Sequence, residues 1–290
     1  MASHKVPAMK RVVLEEDGTH LTIRVERASG RRTIEHTPAR FLDFEWFAER
    51  AIPVRRSANY RKRRNRIGHL WMASTRTSVQ FESLLERSLL LDLDYHPTVA
   101  RVWSQPFRLD GIDSRRGQRK VGVYPDLLVQ YTDKSLEVIE AKTSRALDQP
   151  KIEMFDGDVH RHAEAVDRWQ NMNANFAFEK SEYKKLGWKF SVRSELGEAR
   201  RKNLDYISAY RNLGDTDPLI QQVLSISSDL GPVGVGELAA TVPGGFVAAM
   251  PVVLHLAWHH RLEINLDEPL SATTSVRVPR TNRPALKVAA

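Results

Sequence analysis

Apolar and polar residues switch period several times along the chain, and each switch marks a predicted element. Residues 11–14 and 21–25 are short β-like runs divided by the turn-forming Glu16-Asp17-Gly18. Residues 38–50 read as a helix with Phe41, Phe44, Trp46 and Phe47 as its apolar positions, and Pro38 suits the first helical turn. A longer helix is expected over residues 78–95. Thr77 and Gln80 have capping-box spacing, and Val79, Phe81, Leu84, Leu85, Leu89 and Leu93 form a stripe. After Pro97 the pattern becomes β: residues 99–103, 105–109, 122–131 and 136–141 are β-branched or aromatic runs, with 110–120 as a polar loop. Helical spacing returns over 159–178 through Ala163, Val166, Trp169, Met172 and Phe176. A strand at 188–192 follows Gly187, and two short helices fill 196–213. The order predicts a mixed α/β domain around one central sheet.

A second unit begins near residue 215. Helices are expected at 218–227, 235–242 and 248–261, then two strands at 262–266 and 274–278. Three short helices followed by a hairpin is a winged-helix-like layout, although its acids and bases balance and it lacks a basic face. The chain therefore divides into a β/α extension (1–50), a basic segment (51–77), an α/β core (78–213), a winged-helix-like domain (214–278) and a tail (279–290) that reads as disordered.

Charge changes this picture in one place. Lys+Arg number 44 against Asp+Glu 36, a net +8 over 290 residues. Residues 51–81 hold eight bases (Arg55, Arg56, Arg61, Lys62, Arg63, Arg64, Arg66 and Arg76) and no acid, so the remainder is formally neutral. Guanidinium forks match phosphate oxygens, and the interleaved Tyr60, His69 and Trp71 can stack on bases or sugars. A solvated basic linker is the plainer reading. There is no cysteine, no apolar run of membrane-spanning length and no apolar leader after Met1, which points to a cytoplasmic protein.

The chemistry concentrates in Tyr124-Pro125-Asp126 and Glu140-Ala141-Lys142. Asp126 opens one apolar strand and Glu140 ends the next, so antiparallel pairing brings the two carboxylates to one sheet edge. Residues i and i+2 of a strand share a face, which sets Lys142 beside Glu140. Hard divalent cations take such oxygen donors, and a lysine there can assist a water. Glu86, on the predicted 78–95 helix, is a third carboxylate near the buried side; Glu82, one turn earlier, is its alternative. His160 with His162, and His255 with His259 and His260, have zinc-like spacings without supporting cysteine, and read as packing or surface residues. No phosphate-binding loop or Ser/His/Asp hydrolase motif is evident.

Together these motifs resemble the restriction-endonuclease-like nucleases, whose core carries Asp, a variable gap, then Asp/Glu-x-Lys. More closely, Phe81-Glu82-Ser83-Leu84-Leu85-Glu86-Arg87, Ser104-Gln105-Pro106, Tyr124-Pro125-Asp126-Leu127-Leu128-Val129, Glu140-Ala141-Lys142 and Leu186-Gly187-Trp188-Lys189-Phe190 resemble the TnsA family, the endonuclease subunits of heteromeric transposases. The resemblance implies an α/β nuclease core, a central mixed sheet flanked by helices, with a C-terminal winged-helix-like domain. It implies Glu86, Asp126 and Glu140 as ligands of Mg²⁺ (or Mn²⁺), with Lys142 completing the catalytic set. Phosphate contacts fall to Arg55, Arg56, Arg61, Lys62, Arg63, Arg64 and Arg66. The implied role is hydrolysis of the 5′-end strand of transposon-end DNA, with a DDE-type TnsB-like subunit and an AAA+ TnsC-like regulator that meets the C-terminal domain. The rival expectations are a stand-alone restriction or repair nuclease and a non-catalytic DNA-binding adaptor.

Overall fold

The computed structural model describes residues 19–55, 66–214 and 217–279. The run at 11–14, the tail after 279 and most of the basic tract lie outside the described residues.

Strands β1 (His20–Glu26) and β2 (Arg32–Pro38) form an antiparallel hairpin closed by a turn in which Gly30 takes a φ of +76°. Helix α1 (Phe44–Arg50), capped by Asp43, returns the chain to β3 (Ala51–Ile52) beside β1. The next hairpin, β4 (Gly68–Met72) and β5 (Thr77–Phe81), leads directly into α2 (Leu84–Tyr95). This corrects the expected 78–95 helix. Residues 78–81 alternate and pair with β4, and Ser83, not Thr77, caps the helix by accepting from the Glu86 N–H at 3.1 Å.

The β-rich middle of the chain builds two sheets rather than one. Strands β6 (Val99–Ser104), β9 (Leu127–Tyr131), β10 (Leu136–Ala141) and β11 (Lys189–Arg193) run in the order β11-β10-β9-β6. All pairs are antiparallel except β10–β11, whose parallel crossover contains α3 (Ser144–Leu147) and the long α4 (Val159–Lys185). The expected 110–120 loop instead supplies parts of β7 (Arg108–Asp113) and β8 (Arg119–Val123). They join β1 and β2 in the order β2-β1-β7-β8, so the N-terminal strands share a sheet with the core.

Strands β9 and β10 are buried on both faces, and their alternation separates two cores. Leu128, Leu136 and Val138 pack with Leu21, Ile23, Phe47, Phe107, Phe178 and Tyr183, which joins both sheets to α4. Leu127, Val129 and Ile139 pack on the other side with Leu90, Leu91 and Leu93 of α2 and with Leu204 and Ile207 of α5 (Glu198–Ile207).

The C-terminal unit comprises α6 (Leu219–Leu230), β12 (Val233–Gly234), α7 (Val235–Thr241), α8 (Gly245–Trp258), β13 (Glu263–Ile264) and β14 (Ser275–Arg277). Its strands form a small sheet in the order β12-β14-β13. Leu254, Trp258 and Leu266 of this unit enter the core around α2. Among the described residues, no helix is long and apolar enough to cross a membrane.

Candidate active site

Asp126 and Glu140 stand at the same end of the β9–β10 hairpin. The last paired residues are Ile139 and Leu127, so the register extended by one step sets Glu140 opposite Asp126. One lysine joins them. The Lys142 Nζ donates to Glu140 Oε2 at 2.7 Å, to Asp126 Oδ2 at 3.1 Å and to the Ala141 carbonyl at 3.2 Å. Asp126 is held further by the Ala141 N–H at 2.8 Å and by Gln105 Nε2 at 3.4 Å. This fixes its carboxylate at the strand end rather than leaving it to solvent.

Glu86 enters from α2 through a capping box. Ser83 caps the helix, and the Glu86 carboxylate reaches back to accept from Ser83 Oγ at 3.1 Å and from the Glu82 N–H at 2.8 Å. Glu82 lies just before the helix and accepts from Arg55 at 2.7 Å. The two acids are therefore distinct in environment: Glu82 is neutralised by a guanidinium, whereas Glu86 lies in the field of Asp126.

Burial, with Asp126 nearby, pushes the Glu86 carboxyl up to about 7 despite its hydrogen bonds. Burial and the Asp126 charge raise Glu140 as well, against the pull of Lys142. Burial disfavours the Lys142 ammonium, but Glu140 and Asp126 outweigh it and raise its pKa. The site thus concentrates more negative charge than its one lysine neutralises. A hard cation would relieve that excess, and the donors are all carboxylate oxygens, as Mg²⁺ prefers. In chemistry the residues fit such an ion. In position they are not yet a cage: among the described residues, no three His, Cys, Asp or Glu side chains stand close enough to hold a metal.

Two residues here had no assigned role from sequence. Glu179 of α4 is 2% exposed, and burial together with Glu140 and Asp126 pushes it up to about 9. Its hydrogen-bond partner is the Tyr183 hydroxyl at 3.4 Å. The even-numbered Leu128 and Val138 side chains share a core with the α4 residues Phe178 and Tyr183, so Glu179 approaches the face on which Asp126 and Glu140 lie. An i, i+4 Glu–Tyr pair within a helical pattern is the signal that marks it. Gln105 is the second. It takes a φ of +48°, its N–H donates to the Asp126 carbonyl at 2.9 Å, and its buried Oε1 has no partner.

The histidines stay apart from this chemistry. The rings of His162, His255, His259 and His260 meet the backbone carbonyls of Pro150, Tyr210, Arg211 and Tyr95, respectively. Of the basic tract, Arg55 pairs with the buried Glu82 from an exposed position and lies 5.8 Å from the centre of the Tyr124 ring, and Arg66 is exposed. Arg56, Arg61, Lys62, Arg63 and Arg64 lie outside the described residues.

Residues 96–195 match a family model described as the TnsA-like endonuclease N terminal. That segment is TnsA-like. It runs from the C-terminal cap of α2 through β11 and contains Gln105, Asp126, Glu140, Lys142 and Glu179; Glu86 and the β4–β5 hairpin precede it. No curated protein matches the chain.

Proposed function

We propose that this chain is the DNA-cleaving subunit of a transposase, hydrolysing one strand at the transposon end. The observation that carries the reading is the Asp126–Lys142–Glu140 arrangement on adjacent strand ends, inside the TnsA-like segment. Glu86, Asp126 and Glu140 would hold Mg²⁺ or Mn²⁺, which supplies an acidified water and charge neutralisation at the phosphate. Asp126 is oriented for this task by the Ala141 N–H and the Gln105 amide. Lys142, cationic and donor-rich, balances the carboxylates and offers a proton-donating group to the attacked phosphodiester. Water attacks phosphorus and the P–O bond to the leaving sugar oxygen breaks, leaving a phosphate and a hydroxyl.

The match to a TnsA-like endonuclease favours transposition over a restriction role or a non-catalytic adaptor. Three helices and a short-stranded sheet support a winged-helix reading of the C-terminal unit. With its balanced charge, that unit suits a protein partner, a TnsC-like AAA+ regulator, and a TnsB-like subunit would process the other strand.

The decisive experiment is Asp126→Asn, assembled with the other transposase subunits on end DNA with Mg²⁺. Asparagine keeps an acceptor for the Ala141 N–H but removes the charge. We expect cleavage to fall by about 10³-fold or more, with the fold intact by circular dichroism. Cleavage at the wild-type rate would refute the assignment.

A further inference from the structure

The β4–β5 hairpin has one face with a structural task and one without. Leu70, Met72, Val79 and Phe81 are buried in the core with α2. Phe81 lies so closely over Gly68 that a Cβ there would stand 2.6 Å from its ring. The opposite face carries His69, Trp71, Ser78 and Gln80, with His69 across from Gln80 and Trp71 across from Ser78. Trp71 is 48% exposed. Arg66 precedes the hairpin and Arg76 closes its tip at a φ of +52°, a left-handed conformation that favours glycine or asparagine. Neither guanidinium has an acidic partner among the described residues.

The hairpin is also fixed in place. The Ser74 N–H donates to Asp94 of α2 at 2.8 Å, and Arg211 donates to the Trp71 carbonyl at 2.9 Å. At its other end, β5 runs into Glu82, whose N–H is held by the Glu86 carboxylate. The exposed face is thus coupled through two residues to the candidate cleavage site.

From this we infer that the outer face of the β4–β5 hairpin, with Arg66 and Arg76, is a docking surface for duplex DNA beside the scissile phosphate. Charge complementarity selects the occupant: Arg66 and Arg76 stand at the two ends of the face, and no acid lies between residues 66 and 81 to offset them. Size agrees, since five-residue strands are about 17 Å long and a two-stranded ribbon fits the roughly 12 Å major groove. Trp71 and His69 supply planar contacts, and the two arginines supply phosphate contacts. The inference deepens the nuclease reading and rests on it for the position of the cut.

The test uses the full chain and a duplex of roughly 30 base pairs, titrated by fluorescence anisotropy from roughly 50 to 200 mM salt. The triple variant Arg66→Ala/Trp71→Ala/Arg76→Ala should bind about tenfold or more weakly, and its log K against log salt slope should fall by about two. Ser78→Glu/Gln80→Glu, which keeps Trp71 and both arginines, should weaken binding in the same direction, so a poorly folding triple variant does not decide the matter. Wild-type affinity and slope in the acidic pair would overturn the inference and mark the face for a protein. So would a wild-type chain that binds no duplex. Loss of binding in these variants, in a protein that never cleaves, would retain the surface and remove the nuclease reading. Normal cleavage with unchanged binding would do the reverse.

Discussion

Two β-hairpins flank the candidate site, and they are built on opposite principles. In β9–β10 nearly every side chain is buried, because one face meets α2 and the other meets α4 and the N-terminal sheet. In β4–β5 the residues alternate, with Leu70, Met72, Val79 and Phe81 buried and His69, Trp71 and Ser78 exposed. A hairpin buried on both faces has only its ends left for chemistry, and its ends carry Asp126, Glu140 and Lys142. A half-exposed hairpin has a whole face left, and that face is charged at its rim and aromatic at its centre. The difference separates a hairpin that holds the candidate catalytic groups rigidly from one that leaves a whole face open to a partner.

The sharpest way to break this contrast is through stability. Ile139 is fully buried among α2 residues and β9, so Ile139→Ala should cost about 2–5 kcal/mol. Ser78→Ala, on the outer face of β5, should change stability by no more than about 0.5 kcal/mol. Urea melts of the two variants decide it. Similar costs would mean that the outer face of β4–β5 is covered, and the division of labour would fail.

The same contrast governs what was legible in the sequence. Residues 122–131 and 136–141 read as strands because a continuous apolar run suits burial on both faces, but the first run breaks at Tyr124-Pro125-Asp126 into the end of β8 and the whole of β9. Asp126 and Glu140 were visible as the charged ends of those runs. Residues 78–81 misled because Val79 and Phe81 extend the stripe of Leu84 and Leu85 at near-helical spacing. Only pairing with residues 68–72, a long-range contact, settles them as strand. Residues 110–113 and 119–120, mostly charged, likewise read as loop, since their strand character comes from their partners in the N-terminal sheet. For Glu179 the i, i+4 spacing to Tyr183 was the one local signal. Its environment arises when α4 crosses back over the sheet.

Glu179 provides the next test, because it is a buried acid without a cation of its own, unlike Glu137, which pairs with Arg193 at 2.9 Å. Its folded-state pKa near 9 stands above the ordinary 4.5, so the folded chain binds the extra proton between those values. Its contribution to stability is full below about pH 4.5 and is lost progressively as the pH rises toward 9. Glu179→Gln removes the titration and should raise stability at pH 8 by an order of 1–3 kcal/mol relative to wild type, with little change at pH 4. Melting curves across that range in chelator would show it. Parallel profiles for the two proteins would mean that Glu179 is paired or solvated, and the excess of negative charge assigned to the site would shrink.

A smaller loss is expected at the joint between the two regions. Ser83 lies two residues beyond the β4–β5 hairpin, caps the helix that carries Glu86, and hydrogen-bonds the Glu86 carboxylate directly. Ser83→Ala should cost about 1 kcal/mol, the usual worth of such a cap. Removing the hydroxyl also takes away one of the two hydrogen bonds that offset burial at Glu86, so its carboxyl should shift further upward. Nuclear magnetic resonance titration of the Glu86 carboxyl, beside a urea melt, reads both effects on one sample. Ser83→Thr should restore them, since threonine caps nearly as well. An unchanged Glu86 titration in Ser83→Ala would uncouple the helix cap from the site, and the exposed hairpin would then meet the buried one through packing alone.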